Sequence, residues 1–161
     1  MGRPRQPIIV GDASPARMVL RGTVRRCPRC GTGHLFASWF HLRDRCPGCG
    51  LRFEREEGFW LGGYVINFAT GEAGILVLLA VLIGFVVNGH HINAVLFIGL
   101  GLFVAVIGPL LTFQPSRTVW SAIDLIMRPL SDEERTAAQA AVATAALHAV
   151  SEPTPLDAAS P

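Results

Sequence analysis

Tyr64 to Val87 reads YVINFATGEAGILVLLAVLIGFVV, and Ala94 to Phe113 reads AVLFIGLGLFVAVIGPLLTF. The first run is apolar except for Asn67, Thr70 and Glu72, and the second except for Thr112. About 20 helical residues at 1.5 Å each cover a hydrocarbon core of about 30 Å, so either run can cross a bilayer. The alternative is a pair of buried core helices, but the rest of this 161-residue chain is too small to cover them. The connector, Asn88-Gly89-His90-His91-Ile92-Asn93, is short and holds no arginine, which predicts a tight helical hairpin. The expected fold class is membrane α: a two-helix transmembrane hairpin with a small N-terminal cysteine-bearing module and C-terminal amphipathic helices.

Composition agrees. Half of the residues are hydrophobic, 16% are charged and the mean hydropathy is +0.41, too apolar for a typical soluble domain. The basic residues are all arginine, and eleven of the 14 precede Gly58. None lies between Gly58 and Gln114, and Arg117 and Arg128 follow the second span. That asymmetry predicts both chain ends on the cytoplasmic side of the membrane, with His90 and His91 outside. Phe59, Trp60 and Tyr64 fall where interfacial aromatic anchors belong.

Outside the hairpin (residues 58–113), the chain divides by composition. Residues 1–23 are expected to be a flexible arm, whose apolar patch Pro7 to Val10 is too short for a signal peptide's core. Residues 24–57 carry the cysteines. Residues 114–130 place Trp120, Ile123, Ile126, Met127 and Leu130 at three- and four-residue spacing, with Pro115 marking the membrane exit. This predicts an interfacial amphipathic helix, the alternative being a helix packed on the cysteine module. Ser131 and Glu134 form a capping box ahead of an alanine-rich helix over 131–150, and a disordered tail is expected over 151–161.

The cysteines form two knuckles, Cys27-Pro28-Arg29-Cys30-Gly31 and Cys46-Pro47-Gly48-Cys49-Gly50, 15 residues apart. A two-residue gap lets the sulfurs of one knuckle face the same ion, and four thiolates complete a tetrahedral site. A module shorter than about 40 residues needs such a site to fold, and a reducing cytoplasm argues against disulfides. Three chemistries compete: structural zinc, rubredoxin-like iron and a thioredoxin-like redox pair. Zinc leads because four-cysteine sites are mostly closed structural zinc and no βαβ pattern surrounds either C-x-x-C. His34 and His41 are read as surface residues. The arginines beside the knuckles are assigned to the anionic membrane surface or to solvent, not to nucleic acid.

Within the hairpin, Glu72 lies about 6 Å inside the inner hydrocarbon boundary. Antiparallel register puts Asn67, Glu72, Thr112 and Gln114 near one another, a candidate polar cluster. Glu72 is then either a hydrogen-bonded structural carboxyl or a proton, ion or partner site. Ala80, Gly84, Gly101, Ala105 and Gly108 offer small surfaces for close helix approach.

The combination of Cys27-Pro-Arg-Cys-Gly, Gly33-His34-Leu35-Phe36, Cys46-Pro-Gly-Cys-Gly-Leu51 and Glu57-Gly58-Phe59-Trp60-Leu61-Gly62-Gly63-Tyr64 resembles the bacterial DUF983 membrane family. The resemblance runs from about Arg26 to Leu130 and implies a zinc-ribbon-like segment before two transmembrane helices. It implies no known activity. Some members are encoded among cytochrome c oxidase assembly factors, which makes an assembly role an expectation. Gly63 stands where many members have alanine, suggesting a tight backbone approach. No catalytic constellation is found, so the expectation is a non-enzymatic protein that contacts the bilayer and another membrane protein or complex. The alternatives are a metal- or redox-handling protein and a small homo-oligomeric transporter using Glu72.

Overall fold

The computed structural model describes residues 13–91 and 93–151. Among them are four helices and no strand: α1 (Pro15–Thr23), α2 (Trp60–Val87), α3 (Ala94–Met127) and α4 (Asp132–Ser151). The cysteine module lies between α1 and α2, and two isolated antiparallel bridges, Phe36 to Leu42 and Arg45 to Arg52, shape it.

Helices α2 and α3 form the hairpin, and both are long and apolar enough to cross a membrane. Their apolar segments are uncovered by the rest of the chain, unlike those of a core helix pair. Asn93 caps α3 by accepting the Leu96 N–H at 3.2 Å, and the Asn88 amide donates to the Gly84 carbonyl at 2.7 Å to close α2. The antiparallel register pairs Gly74 with Val104, Gly71 with Pro109 and Asn67 with Thr112. The small-residue expectation holds at Gly101, where a Cβ would lie 3.6 Å from the Leu78 side chain, and needs correction elsewhere. Gly84 and Gly108 have open space beside them, and Gly71, Gly74 and Gly62 make the close approaches instead.

Helix α3 departs from the expected division at Pro115. It runs unbroken for 34 residues, about 51 Å, with Pro109 and Pro115 inside it. Beyond the apolar run, its Gln114, Ser116, Thr118, Ser121, Ala122, Asp124 and Leu125 are buried, whereas Ile126 and Met127 are exposed. The hidden face is the polar and small one. An apolar stripe marks the buried face in water, but a helix leaving a bilayer can bury its polar face against protein.

What buries that face is α1 and the cysteine module. Pro15 starts α1 at a position where its missing N–H costs nothing, and Met18 and Gly22, one turn apart, face α3. At Gly22 the backbones come so close that a Cβ would sit 3.0 Å from the Thr118 carbonyl oxygen. The Thr118 hydroxyl donates to the Gly22 carbonyl at 2.6 Å. Residues 15–23 are therefore helical and packed rather than a flexible arm, and Pro7 to Val10 falls outside the described residues. Leu35, Leu51 and Phe53 join Met18, Ala122 and Leu125 in one small core around the cysteines. Each such large side chain, fully buried, contributes about 1.5–3 kcal/mol.

At its start, α2 begins at Trp60, four residues before the apolar run. Phe59 is buried, with its ring 6.3 Å from that of Trp120, so it packs within the protein instead of anchoring in the interface. Trp60 and Tyr64 flank the Arg117 guanidinium, which lies 4.5 and 5.5 Å from their ring centres and 4.7 Å from that of Phe113. The close glycine here is Gly62, where a Cβ would fall 2.1 Å from the Trp120 ring. At Gly63 the nearest atom would be 3.5 Å away, so the tight approach expected there belongs to its neighbour.

Candidate metal centre and its anchorage

Both knuckles are built alike. Cys27 N–H donates to the Thr32 carbonyl and Gly31 N–H to the Cys27 carbonyl; Cys46 N–H and Gly50 N–H repeat this with Leu51 and Cys46. The turn closes through a left-handed residue, Gly31 at φ +79° and Gly50 at φ +70°, which glycine adopts without steric cost. Gly50 meets a second demand, because a Cβ there would lie 2.0 Å from the Ala138 carbonyl oxygen on α4.

These turns bring all four sulfurs within 4.8 Å of one another. Cys27 Sγ is 3.8 Å from Cys49 Sγ, and Cys30 Sγ is 3.6 Å from Cys46 Sγ. A tetrahedral ion with bonds of about 2.3 Å requires sulfurs about 3.8 Å apart, so the donors fit a four-thiolate metal site. The cysteines are not disulfide-bonded. Gly48 N–H points at Cys46 Sγ from 3.4 Å, and Thr32 Oγ1 lies 3.1 Å from Cys30 Sγ, the supporting contacts that ligating thiolates use. The same chemistry would suit a divalent zinc or an iron ion. His34 and His41 are exposed and stand outside this set.

Hydrogen bonds among the thiols split their acidities. Those from Cys27, Cys46 and Cys49, with Thr32, hold Cys30 well below the ordinary thiol value, and Cys46 is lowered chiefly by Cys27 against an opposing contribution from Cys30. Cys27 is pushed up by the hydrogen bonds to Cys30, Cys46 and Cys49 and by burial. At Cys49 the bond to Cys27 pulls down, but those to Cys30 and Cys46 and burial outweigh it. Four thiolates this close need a cation to coexist.

The module is fastened to the helices at three places. Arg21 of α1 donates to the carbonyls of Pro28 and Arg29 at 3.2 and 2.9 Å, holding the first knuckle. Gln114 of α3 accepts from Arg25 at 3.1 Å and donates to the Trp39 carbonyl at 3.1 Å, holding the loop between the knuckles. Arg55, just past the second knuckle, is the largest fastening. Its Nε and Nη2 pair with the Glu134 carboxylate at 2.8 and 2.9 Å, while Nη1 reaches Asp124 Oδ2 at 2.9 Å and the Arg128 carbonyl at 2.8 Å. Such a bidentate pair has fixed geometry as well as charge. Glu134 closes the capping box as well, accepting the Ser131 N–H at 2.9 Å while the Ser131 hydroxyl accepts the Glu134 N–H. The pairing of Arg55 with Asp124 and Glu134 is not legible in the sequence, since these partners stand 69 and 79 positions away.

The candidate intramembrane cluster divides. Thr112 Oγ1 lies 2.5 Å from Asn67 Oδ1 and 2.9 Å from the Gly108 carbonyl oxygen, and its single proton is shared between them. Gln114 faces the cysteine module instead. Glu72 is exposed and lines a groove of about 260 Å³ with Tyr64, Asn67, Ile75, Ala105 and Pro109. Among the described residues it has no ion pair.

A hairpin of two membrane-length helices carrying a four-cysteine module defines the class of protein. A family model described as a protein of unknown function, DUF983, matches residues 36–124, more than half of the chain, and the chain belongs to that family. The matched span begins after the first knuckle and ends at Asp124, the partner of Arg55. Comparison with curated proteins and with solved structures finds no match.

Proposed function

We propose that this chain is a non-enzymatic docking protein of the bacterial inner membrane, whose four cysteines hold structural zinc. The module and both chain ends lie on the cytoplasmic side, consistent with the arginine excess there. The observation that carries the reading is the triple fastening of the module through Arg21, Gln114 and Arg55. A module merely tethered to the membrane would need no such contacts; one that presents a surface to a neighbouring complex needs a fixed height and orientation. Zinc is favoured over iron because closed four-thiolate sites in a reducing compartment are mostly structural zinc. The family resemblance points to cytochrome c oxidase assembly as the setting.

The test is mild-detergent purification of the tagged chain beside Cys46→Ser, with metal analysis and identification of what co-purifies. A colourless protein with about one zinc per chain that brings down oxidase subunits or assembly factors, lost in the variant, supports the proposal. A red iron protein, or a clean homo-oligomer in both samples, overturns it.

A second reading rests on Glu72, whose exposed carboxyl lines a groove on the hairpin. A charge at that depth is costly against lipid, which favours cover by a second copy and a role in transport. Unchanged cross-linking, stability and cellular phenotype in Glu72→Gln and Glu72→Ala would remove that reading.

A further inference from the structure

We infer that Arg25, Arg26 and His34 form a binding site for the phosphate of an anionic membrane lipid. With Gln114 and Phe36 they line an open surface depression of about 260 Å³ between the end of α1, the segment after the first knuckle and α3. No acidic residue lines it. Arg25 occupies the left-handed position after α1 at φ +58°, with the Arg26 N–H returning to the Arg21 carbonyl at 2.8 Å. Glycine is the usual occupant of such a helix terminus, and arginine there accepts backbone strain. His34 is also left-handed, at φ +59°. Two non-glycine residues thus hold unfavourable backbone conformations around one basic depression.

Depth identifies the ligand's source. Gln114 follows directly on Phe113, the last residue of the apolar run, and Arg25 Nη1 donates to it at 3.1 Å. The loop between the knuckles reaches the same height: the Phe40 ring lies 5.1 Å from that of Phe113, and Trp39 and Phe40 are 44% and 58% exposed. Aromatic residues at the hydrocarbon edge sit at headgroup level, so the neighbouring depression meets lipid phosphates there. Arg117, at similar height, is already faced by three rings. Arg26 has no ion pair among the described residues and remains available for a phosphate oxygen, beside the Arg25 fork.

The site rests on the membrane placement proposed above, and on no docking partner. It is tested with the full chain in detergent, titrated with phosphatidylglycerol or phosphatidylcholine and read by native mass spectrometry. Wild type should prefer the anionic lipid, with about five-fold lost for each cation removed in Arg25→Gln/Arg26→Gln. Arg25→Lys/Arg26→Lys should keep most of the preference. Arg45→Gln/Arg52→Gln removes equal charge from a separate cavity that these residues line with Asp44 and Glu54, and should keep it too. An unchanged preference in the first variant, or equal loss in the third, overturns the site. Displacement of the lipid by millimolar inorganic phosphate overturns the lipid assignment in favour of a soluble anion. A chain that stays in solution without detergent refutes the membrane placement itself, a result separable from any of these.

Discussion

Helix α3 passes through two surroundings, and its two parts obey opposite rules. From Ala94 to Phe113 it leaves Val95, Leu96, Ile98, Leu102 and Leu111 exposed and packs Val104 and Pro109 against Gly74 and Gly71 of α2. From Gln114 to Met127 it buries Gln114, Thr118, Ser121 and Asp124 and ties them by hydrogen bonds to α1, the cysteine module and its own backbone. In the first part, lipid replaces water as solvent, and association rests on close packing and a few polar bonds such as Thr112 to Asn67. In the second, each buried polar group must find a protein partner or cost about 1–3 kcal/mol. The contrast shows that hydrophobic periodicity locates an apolar stripe without saying whether protein or lipid covers it.

The comparison breaks most visibly if the metal is removed. Chelation or Cys46→Ser should unfold residues 24–57, because metal binding by such a small module is worth about 10–16 kcal/mol of its folding. The hairpin should stay helical. Limited proteolysis with circular dichroism reads both halves, and a protease-resistant module without metal would show that its apolar core suffices.

Arg55→Ala comes next. It leaves the buried Asp124 carboxylate without its cation, and breaking one partner of a buried pair costs about 3–5 kcal/mol. Hydrogen exchange should rise over the second knuckle and the start of α4, with little change in 94–113. Adding Asp124→Asn should restore part of the loss, and no rescue would mean that the charge is not the cause.

On the membrane side, Gly62→Ala should destabilise the hairpin base by about 1–3 kcal/mol, since the new methyl meets the Trp120 ring. Gly63→Ala should be nearly neutral, its nearest neighbour being 3.5 Å away. Thermal unfolding in detergent distinguishes them, and equal effects would refute the assigned register.

The smallest effect is that of pH on α4. The hydrogen bond and charge of Arg55, with the Ser131 N–H, hold the Glu134 carboxyl below its ordinary value against a partial burial penalty. A lowered folded-state value means that the contribution is complete above the unfolded carboxylate value of 4.5 and is lost as pH falls through the folded value beneath it. Glu134 is 37% exposed, so screening keeps the effect below about 1 kcal/mol. Protection of the first α4 amides, taken relative to their intrinsic exchange rate, should therefore fall only in acid, and Glu134→Gln should abolish that pH dependence.

Sequence alone determined what depends on local composition and spacing. Two long apolar runs around a short arginine-free connector dictate the hairpin, and paired C-P-x-C-G segments dictate two knuckles whose four sulfurs cluster closely enough to hold a metal ion. The capping box at Ser131 and Glu134 was legible because its hydrogen bonds stay within one turn. Tertiary structure decided whatever depends on contacts between distant residues. It made 15–23 a packed helix, carried α3 through Pro115, chose Gly62 over Gly63 for the close approach, split Gln114 from the intramembrane cluster, and joined Arg55 to Asp124 and Glu134. The physical reason is that periodicity fixes the faces a helix has, while the surroundings that meet each face are set by where the rest of the chain returns.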